Sequence, residues 1–253
     1  MKKYILALIP MFALNSCSGF NPYTYDDTGF IKYEGLCSVN QHIETIHIDW
    51  MCGNVQIIDG EEFTIYEERI SDVYYPLYYK TIRQDLYKDR FDLYIYFAPT
   101  RSKQSSIGDL EKKLVITIPY DIFAVNLVTS SAEYSIKTVK EIDCFDITSA
   151  SGSGEIDVET TSGIRYYATS GDLNFTCRSS EEISSDAINA LEFNTMSGDV
   201  TVNLDGKRGY NLDFSSMTGE CNQEFTDGSD KDLKKFNMKF MSISGDLNIN
   251  KIV

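Results

Sequence analysis

The chain has 253 residues, and 38 acidic side chains against 23 basic ones give a net charge of −15. That length suffices for one sizeable core, while an acidic surface disfavours nucleic acid and anionic lipid as partners and favours solubility. Six cysteines, with no C-x-x-C or Cys/His spacing among them, carry no zinc signature.

Residues 1–16 begin with Lys2 and Lys3, continue as a short apolar run, and end Leu14-Asn15-Ser16 before Cys17. The run is too brief to span a bilayer. Its ending resembles a bacterial lipobox, which implies cleavage before Cys17 and lipidation of that residue; an ordinary signal peptide cut nearby is the alternative. No later apolar run approaches the ~20 residues a spanning helix needs. The expected location is therefore the bacterial cell envelope, lipid-anchored at the outer membrane or cell surface. The mature chain would carry 21 basic against 38 acidic residues, a charge of −17.

Residues 17–40 read as a lipidated tether, and 41–253 as one repeat domain. His42 and His47 lie in or near a strand over Ile43–Ile48, with His42, Glu44, Ile46 and Ile48 on one face and His47 on the other. Neither has a third ligand nearby. Between Gly53 and Ala132 the template lapses, with 60–112 irregular or inserted, though Phe63–Ile65, Phe91–Tyr96 and Leu114–Ile118 alternate as strands do. Tyr74, Tyr75, Tyr78 and Tyr79 present both a ring face and a hydroxyl, which suits glycan or protein contact; packing on their own neighbours is the alternative. Beyond Cys17, five cysteines remain, and an odd number cannot all pair. Cys52 and Cys221 read as small buried residues, and Cys37 and Cys52 could close a loop.

The informative stretch is Leu191–Leu204, LEFNTMSGDVTVNL, because versions of it recur. Counted from Gly198, apolar residues fall seven and five before and two and four after. Hydroxyls fall three and one before, and an acid follows directly. Gly53, Gly152, Gly171, Gly219 and Gly245 anchor further copies, and Ala132 stands in for glycine in another. Gly219 ends on Gln223 where an apolar residue is due, and Gly152 reads as having two extra residues before Glu155. From Ala132 the anchors are 20, 19, 27, 21 and 26 residues apart, a repeat-protein period. Alternation means strand, and the apolar phase changes parity across the glycine, so each unit is strand, corner, strand. Glycine is expected to supply backbone angles that other residues avoid, and Ser, Thr and Asp to bond neighbouring amides.

One unit cannot stand alone. About four inward side chains at roughly 1.5–3 kcal/mol each do not offset about 1–2 kcal/mol per residue of backbone ordering over ~20 residues. Stacked neighbours supply the missing burial. The expected fold is all-β: a single β-solenoid of stacked strand-corner-strand rungs, right-handed as crossovers usually are, with a β-sandwich as the alternative.

The strand ending Gly53-Asn-Val-Gln-Ile57, the run Lys113–Pro119, the run Val125–Ile136 and the S-G-D units together resemble the bacterial putative-adhesin family of β-strand repeats, whose function is unknown. The resemblance covers roughly 40–253. It implies a β-solenoid-like domain on secreted or envelope-anchored proteins, with no established catalytic residues, and the last unit, MKFMSISGDLNI, looks like the family's usual closing rung.

Asp172, Asp199, Asp246, Glu133, Glu155 and Glu220 could stack into an acidic ladder able to meet Ca²⁺, but the calcium-binding nonapeptide pattern is absent. No nucleophile elbow, nucleotide loop or supported triad is present. No metal, cofactor or catalytic residue is expected. Three functions stay open: an anchored binding or scaffold module meeting a glycan or protein through a solenoid face or the Tyr-rich insertion, a purely structural envelope lipoprotein, and a carbohydrate-active solenoid enzyme.

Overall fold

The computed structural model describes residues 29–33, 35–69, 77–84, 89–97, 112–178 and 190–252. Its strands begin with β1 (Ile31–Tyr33), β2 (Cys37–Ser38), β3 (Ile43–Trp50), β4 (Asn54–Asp59), β5 (Thr64–Arg69), β6 (Leu77–Arg83) and β7 (Phe91–Tyr96). There follow β8 (Lys112–Ile118), β9 (Ile122–Thr129), β10 (Glu133–Thr138), β11 (Ile142–Ser149), β12 (Gly154–Val158), β13 (Gly163–Ala168) and β14 (Leu173–Cys177). The last are β15 (Ala190–Thr195), β16 (Val200–Leu204), β17 (Tyr210–Ser216), β18 (Cys221–Gln223), β19 (Phe236–Ser242) and β20 (Leu247–Lys251).

They form two sheets, A in the order β1-β6-β7-β3-β9-β11-β13-β15-β19-β17 and B in the order β18-β20-β16-β14-β12-β10-β4-β8-β5-β2. From β3 onward each repeat unit gives one strand to A and the next to B, and like strands pair in parallel. A meander of hairpins would pair consecutive strands within one sheet, so the sandwich alternative is ruled out and the chain is a β-solenoid.

The template positions become columns of the core. Seven before the corner, Phe145, Ile164, Leu191, Met238 and Leu212 lie in register, and five before it Ile147, Tyr166, Phe193, Phe240 and Phe214 do. After the corner, Leu173, Val200 and Leu247 align, as do Phe175, Val202 and Ile249. Thr195 and Val200 are both buried and the exposed Met196 and Ser197 lie between them, so the parity change is a turn of the chain from one sheet to the other.

Three expectations are corrected. First, rungs do not follow chain order at either end. β3/β4 lies inside β7/β8, and the final pair β19/β20 is slotted between β15/β16 and β17/β18. The last unit is thus not the outermost rung; β17/β18 is. That explains Gln223: its slot faces the end of the stack, where it is exposed and Leu212, Phe214 and Cys221 are only half-buried. Second, the Gly152 unit has no extra residues. Gly154 pairs with Leu173 and Ile156 with Phe175 in unbroken register, so Gly154 fills the first inward slot. Its missing side chain is replaced by the ring of Tyr134 from the rung before, which a Cβ at 154 would meet at 1.9 Å. Third, the strand from Ile43 shifts register between Ile43 and Thr45, so Ile43 is buried along with Ile46 and Ile48 and strict alternation does not hold there.

The stretch 60–112 contributes β7, which shares a rung with the following β8, and two antiparallel strands, β5 on β8 and β6 on β7. Capping a parallel edge this way reduces the exposed ladder of amides and carbonyls. The β5/β8 cap holds a buried ion pair, Lys112 Nζ to Glu67 Oε2 at 2.9 Å, with the ammonium 5.0 Å from the Trp50 ring and 4.5 Å from that of Phe97. Burial lowers the Lys112 pKa and raises that of Glu67, each effect opposed by the partner's charge.

Candidate functional site

The corner row Gly53, Ala132, Gly152, Gly171, Gly198, Gly245, Gly219 runs the length of the stack. Of these glycines only Gly53 has a positive φ, 83°, so strained backbone angles do not explain the others. Space does. A Cβ at Gly198 would sit 2.1 Å from the Gly171 carbonyl oxygen, and one at Gly245 2.1 Å from that of Gly198. Three residues earlier, hydroxyls accept the corner amides: Gly152 N–H to Ser149 Oγ at 2.9 Å, Gly219 to Ser216 at 2.8 Å, Gly245 to Ser242 at 2.6 Å. Where Ala168 replaces the hydroxyl, the Tyr166 phenol donates to the Gly171 carbonyl at 2.6 Å. Burial pushes the Tyr166 phenol upward, and the Tyr134 phenol well upward, so both stay protonated inside the core.

Among the acids beside the corner, Asp172, Asp199 and Asp246 form a ladder in which each lends one carboxylate oxygen to the backbone of the next rung. Asp172 Oδ1 accepts the Asp199 amide at 2.9 Å, Asp199 that of Asp246 at 2.8 Å, and Asp246 that of Glu220 at 2.7 Å. Glu155 is not a member. The unbroken register puts Ser153 in that place, where its hydroxyl accepts the Asp172 amide at 3.2 Å. Among the described residues no cluster of three His, Cys, Asp or Glu side chains is placed to hold a metal ion.

Cys17, Tyr74 and Tyr75 lie outside the described residues. Tyr78 is buried with Lys32 over its ring, and Tyr79 packs inward, its hydroxyl accepting from Cys37 Sγ at 3.0 Å. Nearby rings cover each other: Phe30 on Tyr96 at 4.4 Å, and His47 on Tyr94 at 4.3 Å. Burial lowers the His47 pKa against the pull of Asp92. His42 lies on Tyr120 at 4.5 Å. Cys37, Cys52, Cys144, Cys177 and Cys221 are all free thiols, so no bridge joins Cys37 to Cys52.

A patch that template reading passed over lies on the outer face of sheet B. Three and five residues past each corner the side chains point outward, and from β14 to the end of the stack they are amides and hydroxyls except at Glu224 on the outermost rung, whose carboxylate accepts the Lys251 amide at 2.7 Å. Asn174, Thr201, Asn248 and Asn222 share one row, and Thr176, Asn203 and Asn250 the next. They are tied together: Asn203 Nδ2 donates to Asn174 Oδ1 at 2.7 Å and Thr176 Oγ1 at 3.1 Å, Asn250 to Asn203 at 2.9 Å, and Asn222 to Asn248 at 3.0 Å. The sheet A face of neighbouring rungs is different, carrying the charge pairs Asp146–Arg165 at 3.8 Å and Glu192–Lys239 at 3.5 Å. The recurrence of Asn at corner plus three and plus five was the available sequence signal.

Fold and faces define a β-solenoid repeat domain that presents a regular polar surface. Residues 145–239 match the family model described as Toastrack DUF4097, a domain of unknown function with a β-solenoid-like fold, and the resemblance drawn from the S-G-D repeat stands on that match. The chain is also similar to a solved structure described as a putative cell adhesion protein from Clostridium sporogenes: 14% identity, 88% of this chain and 100% of the other covered, TM-score 0.48. A second, a putative adhesin from Bacteroides fragilis, has 10% identity, 87% and 96% coverage and a TM-score of 0.32. No curated protein matches the chain.

Proposed function

We propose that this chain is a non-enzymatic, lipid-anchored envelope protein of the adhesin type that meets an extracellular ligand through the outer face of sheet B between β14 and β18. The observation that carries the reading is the Asn and Thr array, ordered side chain to side chain by its own hydrogen bonds. A surface fixed before binding loses less side-chain entropy on contact. Three of the corner acids that a polysaccharide-cutting reading would draw on, Asp172, Asp199 and Asp246, each hold a backbone amide of the next rung with one carboxylate oxygen. The lipobox-like ending at Cys17 supports the anchor, and a rigid stack behind it suits display at a cell surface.

Two measurements test this. Bacteria expressing the full chain should incorporate labelled palmitate, and Cys17→Ala should abolish it; unchanged labelling would remove the anchor. Cells displaying the chain should adhere to surfaces coated with glycans or matrix proteins. Asn174→Asp with Asn248→Asp should cut that adhesion at least tenfold, while Asn211→Asp with Asn237→Asp on sheet A leaves it unchanged. The opposite pattern would move the site to the other face.

A further inference from the structure

We infer that the occupant of the sheet B face is an uncharged polysaccharide lying flat across the rungs from β14 to β18; this rests on the reading of that face as the docking surface. Charge argues first. In a chain of net charge −15, two adjacent outward rows carry amides and hydroxyls up to Glu224 at the end of the second row, while Asp172, Asp199, Asp246 and Glu220 border them one pleat away. A polyanion brought here would meet that border unfavourably.

The residue types argue second. Protein-binding surfaces are enriched in aromatic side chains, Met and Arg, and those outward rows hold none. Amides and hydroxyls instead offer the donors and acceptors that sugar hydroxyls pair with. The ladder leaves capacity for this. Asn174 and Asn248 each accept within the ladder, with both N–H groups of each left over, and Asn222 donates, with its carbonyl left over.

Repetition argues third. Equivalent groups recur at the ~4.7–4.9 Å strand spacing and, within a strand, every second residue at roughly 6.6–6.8 Å. A polymer with repeating hydroxyls can engage several rungs at once, and each further contact forms within an already bound chain.

The test is affinity electrophoresis of the full chain in detergent, through gels containing hydroxyethylcellulose, arabinoxylan, galactomannan or dextran, with polygalacturonate and glycol chitosan as charged arms. Retardation by at least one neutral polymer is expected, and Asn174→Asp with Asn248→Asp should weaken it at least tenfold with an unchanged thermal melt. Thr201→Asp, whose side chain lies in the same row, should do likewise and serves if the double variant fails to fold. Retardation by charged polymers alone, or by none, overturns the inference. If the face variants still lower cell adhesion in that case, the docking face stands and only the ligand class is wrong; if they change neither assay, both fall.

Discussion

Replacing Gly198 with alanine tests the physical basis of the stack. The new Cβ would lie 2.1 Å from the Gly171 carbonyl oxygen, against the 3.4 Å of ordinary contact, so the two rungs must part locally by about 1.3 Å. That is roughly a quarter of the ~4.8 Å strand spacing. It would stretch the Ser197 N–H bond to the Thr169 carbonyl (3.0 Å) and the Asp199 N–H bond to the Asp172 carboxylate (2.9 Å). Losing two such bonds costs about 1–3 kcal/mol, in line with overpacking elsewhere. Against this, alanine restricts the unfolded chain and returns about 0.4–1 kcal/mol. The expected net loss is about 1–2 kcal/mol, read as a shift in denaturant midpoint at constant slope. Thr201→Val, which only exchanges an outward hydroxyl, should stay within about 0.5 kcal/mol. A Gly198→Ala protein as stable as the parent would refute the claim that the corner is glycine for want of room.

Other expectations use the same kind of measurement. Gly154→Ala should be strongly destabilising because its Cβ meets the Tyr134 ring, and the penalty should shrink in a Tyr134→Leu background, a coupling that a double-mutant cycle reads directly; additive effects would exclude the exchange of ring for missing side chain. Phe240→Ala, at a fully buried site, should cost about 3–5 kcal/mol, and Phe214→Ala, half-buried on the outermost rung, clearly less; the reverse ranking would restore chain order to the stack. Lys112→Met alone should cost about 3–5 kcal/mol by stranding Glu67, whereas Lys112→Met with Glu67→Leu should be close to neutral. Glu67 has a raised folded pKa, so it withdraws stability as pH climbs from its ordinary 4.5 to that raised value. Lys112 has a lowered one, so it returns stability as pH climbs from that lowered value to its ordinary 10.5. The parent should therefore fall behind the double variant at intermediate pH and recover towards both extremes; parallel stability curves would deny the burial cost.

Much of the fold is local and therefore written in the chain. Alternating apolar residues, a hydroxyl three before the corner and an acid after it suffice to specify strand, corner and strand, and the columns Phe145–Ile164–Leu191 and Phe175–Val202–Ile249 follow once rungs are known to stack. The Asn rows were equally present in the letters. Their meaning was not, because an outward Asn in one strand becomes part of a surface only when its neighbours in register are known.

The tertiary structure alone decided the order of the rungs, since units built to one template can pair with any similar edge and nothing local tells Gly245 to sit between Gly198 and Gly219. It also decided how Gly154 is filled, by a tyrosine twenty residues earlier, because packing is settled between neighbours in space rather than in sequence. Those choices depend on which edges meet, and that information exists only once the whole stack has closed.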